Sequence, residues 1–342
     1  MRILGIESSC DETSAAVVED GRVVRSNIIA TSRLAFERAG GVIPEKAARE
    51  TVRCAIPVVE QALNEAQCTP DDIDAVAVTA GPGLLGSLLV GTATARCIAQ
   101  AWNKPLIGVH HTLGHLSSTW LLKQGEPQGE DPRFPVMTLS VSGGHTELWL
   151  RTSHTKGFLV GRTRDDAAGE AFDKGATLLG LPYPGGPSIA KAADGRNESF
   201  LSLPRPLKGD DSCDFSFSGL KTALRYALAE NPTMPVGDAA ASFQHAICLH
   251  LLDRLEHALR KQAAVEVHVV GGVSANARLR QMLGEHFPTR TVRVPITLGY
   301  CTDNAAMIAS AAYYLVRERP SALTDPVVAA ASMPLESAVA PA

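Results

Sequence analysis

The chain has 342 residues, 45% hydrophobic and 20% charged, with a formal net charge of −4. That composition supports a large buried core, enough for two domain-sized lobes, and argues against a strongly basic nucleic-acid-binding domain. Seven cysteines without a CxxC pair read as reduced thiols, and MRILGIESSC has neither an apolar h-region nor a cleavage site, so a cytoplasmic location is expected.

In chain order, RILGIES, SAAVVED and RVVRSNIIA predict three short strands, with Asp20 and Gly21 at a turn. A helix follows from about 44 to 67, opened by Pro44. On it Lys46, Arg49 and Arg53 share a face, with Glu45 and Glu50 interspersed. That face reads either as a local basic patch or as an ordinary solvated surface. Next come the strand IDAVAVTA, a GPG turn, an apolar helix and the strand PLIGVH. Arg96, Gln100 and two glycines make the stretch 84–102 a core helix rather than a membrane span.

After the loop QGEPQGEDPR, VMTLSVSGGHTELWLRT gives two strands about a glycine turn, and EVHVVGGVSAN a buried strand entering a helix. DFSFSG reads as an anchored loop with its two phenylalanines in the core. NAAMIASAAYYLV predicts a buried final helix, with Thr302 or Asp303 as its cap. Strands alternating with helices predict an α/β architecture with largely buried sheets.

Each half places a polar or glycine-rich turn, SCDET or SGGHT, between its first two strands. Such turns gather backbone N–H groups into an anion-binding concavity. GGVSAN leads into a helix N-terminus, where partial positive charge faces a ligand. A nucleotide between two lobes is the expectation, although hairpins also need glycine with no ligand at all.

His111 and His115, at i and i+4 in VHHTLGH, project from one helix face and can converge on one ion, with Asp303 of CTDN as third ligand. On spacing alone, the same residues also fit a hydrogen-bonded core histidine and a helix cap. Thr112 stands where a metallopeptidase HExxH motif requires glutamate.

The ordered set IESSCDET, GPGLLGSLLVG, VHHTLGH, VSGGHTEL, DDAAGEAFDKGATLLGLPYPGGP, DFSFSGLKT, GGVSANARLR and CTDNAAMIA resembles the bacterial catalytic subunit of the tRNA N6-adenosine threonylcarbamoyltransferase family, from Arg2 to about Val316. The resemblance implies an actin-like, sugar-kinase-like fold of two lobes with duplicated subdomains about a nucleotide cleft. Residues 1–124 with about 304–325 would form the first lobe, 135–303 the second and 326–342 a tail. It implies that His111, His115 and Asp303 bind one divalent metal, Fe(2+) before Zn(2+). Ser140, Val141, Ser142, Gly143 and Gly144 would cradle the phosphate or acyl part of threonylcarbamoyl-AMP, and Asp173, Gly186 and Asn276 its ribose and adenine. Asp11 and Glu12 would lie near the reacting centre.

The implied reaction moves the threonylcarbamoyl group to the N6 amine of the adenosine beside the anticodon, in tRNAs reading codons that begin with adenine. The implied partners are tRNA, a smaller actin-like paralogue, an ATP-binding accessory protein and a separate synthase that makes the adenylate, with no membrane. Adenine's exocyclic amine is a poor nucleophile, so acyl transfer to it needs an activated donor and a polarised carbonyl. An actin-like ATPase or sugar kinase would share the turns without needing the histidine pair, and a non-enzymatic scaffold would need neither. Thr51, Leu113 and the ending AASMPLESAV depart from the family pattern without touching these residues.

Overall fold

The structure is a computed structural model and describes residues 1–31, 42–126 and 129–335. It divides into two compact units: Met1–Pro132, Thr152–Gly157 and Pro295–Ala342 form unit 1, and Arg133–Arg151 with Phe158–Val294 form unit 2.

Unit 1 contains β1 (Arg2–Glu7), β2 (Glu12–Glu19), β3 (Val23–Thr31), α1 (Pro44–Ala66), β4 (Ala75–Gly81), α2 (Leu85–Ala101), β5 (Leu106–His110), α3 (His111–Ser117) and β6 (Leu122–Lys123). Unit 2 contains β7 (Val136–Val141), β8 (Thr146–Arg151), β9 (Gly157–Arg162), α4 (Ala168–Leu178), α5 (Gly185–Ala193), α6 (Ser218–Glu230), α7 (Val236–Lys261), β10 (Glu266–Val270), α8 (Ala277–His286) and β11 (Val292–Arg293). The chain then returns to unit 1 with α9 (Ala305–Glu318).

Among the described residues the strand order is β5-β4-β1-β2-β3-β6 in unit 1 and β11-β10-β7-β8-β9 in unit 2. Apart from the short β6 these are the same topology twice. A central strand, β1 or β7, pairs antiparallel with the next strand on one side and parallel with a later strand on the other. Parallel pairing requires a crossover, and α2 supplies it between β4 and β5. β1 and β4 are buried along nearly their whole length, which explains why they read as continuous apolar runs rather than alternating ones. Leu4, Ile6, Val17, Val76 and Val78 of the sheet meet Val58 and Ala62 of α1 in one core. On the other face α9 approaches so closely that a Cβ on Gly5 would lie 2.3 Å from the Ala305 carbonyl oxygen. Unit 2 builds its core from Met137, Leu139, Leu148, Phe172, Phe243 and Val267, joined by Phe215 and Phe217 of the DFSFSG segment.

Lys46, Arg49 and Arg53 are exposed on α1. Arg49 pairs with Glu45 at 2.7 Å and Arg53 with Glu50 at 2.6 Å, so the solvated-surface reading describes this face. The cap of α9 is Asn304, whose side chain accepts from Met307 N at 3.1 Å, and not Thr302 or Asp303. Asn304 directly precedes the first helical residue, and its role leaves the Asp303 carboxylate out of the helix start. No helix among the described residues is long and apolar enough to cross a membrane.

Candidate metal centre and glycine turns

β5 ends at His110, and α3 begins at His111. The His110 ring caps that helix, its Nδ1 accepting from Thr112 N at 3.1 Å. One turn apart on α3, His111 and His115 aim their Nε2 atoms at the same carboxylate oxygen. His115 Nε2 lies 3.0 Å and His111 Nε2 3.5 Å from Asp303 Oδ1. One ligand atom from each of the three residues falls within 4.8 Å of the others, so the set is a possible metal site. All three belong to unit 1, whereas the boundary expected at 303 would put Asp303 in the other half. The reason is local: the loop carrying Asp303 runs straight into α9, which packs on β1.

The donor chemistry fits a divalent cation. Two imidazoles and one carboxylate converge, the histidines buried and Asp303 partly open. Behind His111, its Nδ1 lies 3.1 Å from Glu7 Oε2 and 3.1 Å from Ser9 Oγ. A carboxylate behind a histidine fixes its ring orientation and raises its basicity. Glu7 is wholly buried and accepts from Thr79 Oγ1 at 2.7 Å and from Ser9 N at 2.5 Å. His115 Nδ1, by contrast, is buried with no hydrogen-bond partner among the described residues, so that ring is held by packing and by Asp303. Glu7 is the residue that sequence reasoning missed. Its signal was a carboxylate closing the apolar strand RILGIE, since a buried charge needs a partner.

Electrostatics agree with the geometry. Burial alone would lower the His111 pKa, but Asp303 and Glu7 outweigh it and raise the imidazole to about 9. Burial likewise opposes the Glu7 carboxylate, yet His111 holds it below its usual range. Burial pushes the Cys10 thiol up, and Asp11 and Asp303 push it further, so it is a neutral neighbour and not a nucleophile. Asp11 lies in the turn after β1 and is partly exposed, while Glu12 opens β2 and is buried. This turn is pressed from behind by the GPG segment: Leu84 N donates to Ser9 O at 2.7 Å, and a Cβ on Gly83 would lie 2.5 Å from the same oxygen.

In unit 2 the parallel pair β7 and β10 ends side by side, with Val270 opposite Ser140. Ligands of α/β sheets bind beyond such carboxyl ends. Ser140 and Val141 are buried in β7, and the chain opens only at Ser142, Gly143 and Gly144. A Cβ on Gly143 or Gly144 would meet nothing within 4 Å, which leaves their main chain approachable. Gly169, in the first turn of α4, donates to Ser142 O at 3.1 Å and has no room for a Cβ there. Asp173, one turn further along the same helix face, accepts from Gly185 N at 2.7 Å, beside the open Gly186. That face of α4 therefore links the glycine turn to Gly186. Asn276 is otherwise employed: its Oδ1 caps α8 by accepting from Leu279 N at 3.0 Å, and its Nδ2 donates to Gln244 at 2.8 Å. Of the departing residues, Thr51 bonds its own helix at Ala47 O and Leu113 is buried in unit 1.

The two matching sheets and their helices define a protein of the actin-like ATPase fold, here with two buried histidines and a partly open aspartate gathered in the first unit. Two solved structures share that fold. The HypF of T. kodakarensis superposes with a TM-score of 0.62 at 13% identity, covering 95% of this chain and 49% of that one. The activator of the 2-hydroxyisocaproyl-CoA dehydratase from Clostridium difficile gives 0.53 at 13%, covering 96% and 100%. Residues 23–310 match the TsaD family, tRNA N6-adenosine threonylcarbamoyltransferase. Proteins of that name from Thermomicrobium roseum and Dehalococcoides mccartyi strain BAV1 are 50% and 48% identical, over 93% and 92% of this chain and 92% and 93% of theirs. The chain belongs to the tRNA N6-adenosine threonylcarbamoyltransferase family and is an acyltransferase.

Proposed function

We propose that the chain carries the threonylcarbamoyl group of threonylcarbamoyl-AMP to the N6 amine of the adenosine beside the anticodon, in tRNAs reading codons that begin with adenine. The observation that carries this reading is the convergence of His111, His115 and Asp303 on one point of unit 1, in a chain of this family. These residues would hold one divalent ion, Fe(2+) first and Zn(2+) second, since two imidazoles and a carboxylate suit either. Such an ion supplies Lewis-acid polarisation of an acyl carbonyl.

The remaining work falls to the chain. Ser142, Gly143 and Gly144 present main-chain N–H groups to the adenylate, with Ser140 and Val141 as the strand that carries them. Those amides take up negative charge as the nucleotide leaves. Asp173 holds Gly185 and Gly186 against the nucleoside, and Asn276 shapes the adenine end through its cap on α8. Asp11, or Glu12 beside it, accepts the proton that the amine loses on attack. A kinase on this fold needs no imidazole pair, which is why transfer is preferred to phosphorylation.

The mildly acidic chain and its ion-paired α1 arginines support weak tRNA binding by this subunit alone, because phosphate neutralisation dominates such affinity. We therefore assign stable tRNA binding to a complex with a smaller actin-like paralogue and an ATP-binding accessory protein, in the cytoplasm. The exposed Val52 and Ile56 of α1 and Leu85 and Leu89 of α2 give such a partner an apolar face to cover. The test supplies threonylcarbamoyl-AMP, partner subunits and unmodified tRNA and weighs the modified adenosine by mass spectrometry. Transfer by the native chain and its loss in Asp11→Ala, with donor binding intact, is the expected result. Sugar phosphorylation without any adenosine mass gain would overturn it.

A further inference from the structure

We propose that residues 327–333 form a strap that holds the histidine-bearing helix α3 in register for its cation, and that His110 is the positioning residue through which the strap acts. The proposal rests on the metal reading above. Beyond α9 the chain turns back over unit 1. Val327 enters the core, and its carbonyl accepts from Arg96 at 2.8 Å. Ala330 N donates to Ala80 O at 2.8 Å, and Ala331 O accepts from Gly83 N at 3.2 Å, so the strap pairs with the end of β4 and with the GPG turn. A Cβ on Gly81 would fall 2.2 Å from the Ala330 carbonyl oxygen, and only glycine leaves the strap its place. Two residues further, Met333 O lies 2.8 Å from His110 Nε2.

This last contact fixes a tautomer. His110 Nδ1 accepts from Thr112 N and carries no proton, so Nε2 carries it and donates to the Met333 carbonyl. The ring gripped by the strap is thus the ring that seats the first turn of α3, next to His111. A second grip runs through the GPG turn, which holds Ser9, whose hydroxyl touches His111 Nδ1. A cavity of about 330 Å³, lined in part by Val109, His110, Leu113, Val327 and Met333, lies on this side of α3. Packing backs α3 on its α9 side, where a Cβ on Gly114 would lie 2.7 Å from Ile308 Cδ1, and on the cavity side the strap adds its polar bond to His110.

Three chains separate the possibilities by competitive Zn(II) titration against a chromophoric chelator and by Co(II) absorption spectra. His110→Asn keeps an acceptor for Thr112 N but is too short to reach Met333 O. A chain ending at Ala331 keeps the β4 pairing and loses the Met333 carbonyl, and a chain ending at Leu335 keeps the whole strap. The first two are expected to bind Zn(II) about tenfold or more weaker with an altered Co(II) spectrum, in the range for groups that orient metal ligands. The third should match the full chain. Unchanged affinity and spectrum in His110→Asn would overturn the strap, whatever the shortened chain does. His111→Ala is the control for the reading beneath: full Zn(II) affinity there would overturn the metal site and the strap with it.

Discussion

The two units share one strand order and place different groups at the turn after the first strand. In unit 1 the turn after the first strand is acidic, and beside it Asp303 and the buried Glu7 outweigh burial and raise His111 to about 9. In unit 2 the equivalent turn opens through Gly143 and Gly144, and the buried His250 and His268 are pushed towards their neutral form. Burial lowers His250 to about 4, with Arg254 helping. Burial also lowers His268 to about 4, although Glu266 is its neighbour, because Arg151 and Arg293 add positive charge beside it. The lesson is that burial lowers a histidine unless carboxylates beside it outweigh that cost, as Asp303 and Glu7 do for His111. Duplication leaves those partners free to differ. One copy gathers two imidazoles and a carboxylate, and the other exposes the main chain of two glycines.

The sharpest way to break that contrast is to remove the acidic partner. Asp303→Ala takes away a ligand and the charge that two imidazoles face, so bound metal and adenosine modification should both fall by more than about a hundredfold. Elemental analysis and tRNA mass spectrometry would read this, and retention of a full equivalent of metal would refute the site. Glu7→Gln keeps the shape of the support behind His111 and removes its charge. It should cost roughly ten- to a hundredfold in metal affinity, a smaller loss than at Asp303. On the other side, Gly144→Val fills space that is open in the structure and should leave metal binding alone. We expect about tenfold weaker binding of a non-hydrolysable threonylcarbamoyl-AMP analogue, because a side chain there blocks approach to the main chain. Loss of metal in this variant, or full donor affinity, would erase the division of labour between the units.

Much of this was legible before any coordinates. Strands and helices followed from apolar runs and turn residues, and the α/β class from their alternation. The histidine pair was visible because i and i+4 spacing is a local property of one helix. What lay beyond reach was tertiary. Nothing in the spacing says that Asp303 belongs with α3 rather than with the half before it, since that depends on where α9 packs. The cap moved from Asp303 to Asn304 because one residue decides it, and boundaries of that kind fall within the uncertainty of any sequence pattern. Ser140 and Val141 read as part of a ligand loop, yet they lie inside β7, and Asn276 spends its side chain on α8 and Gln244. Glu7 needed Thr79 of β4 and His111 of α3 brought to it from more than seventy residues away. The ending AASMPLESAV read as a departure that touches none of the site residues, although its Met333 carbonyl lies 2.8 Å from His110 Nε2.

The smallest expected effect is the pH dependence of metal-free stability, and it should divide between the units. A histidine raised from 6.5 to about 9 stabilises the fold fully below 6.5, and that contribution is lost as pH rises through about 9. For histidines lowered to about 4 the sign reverses: the unfolded chain binds more protons, so stability is whole above 6.5 and is lost as pH falls towards 4. The metal-free melting temperature should therefore decline on both sides of neutrality, by roughly 2–4 °C for each kcal/mol lost. Hydrogen exchange read by mass spectrometry should assign the alkaline limb to unit 1 and the acid limb to unit 2. Zn(II) should flatten the alkaline limb alone, because ligation displaces the titrating proton from the ring nitrogen that binds the metal. An alkaline limb that survives in His111→Ala would show that the charge in unit 1 belongs to some other group.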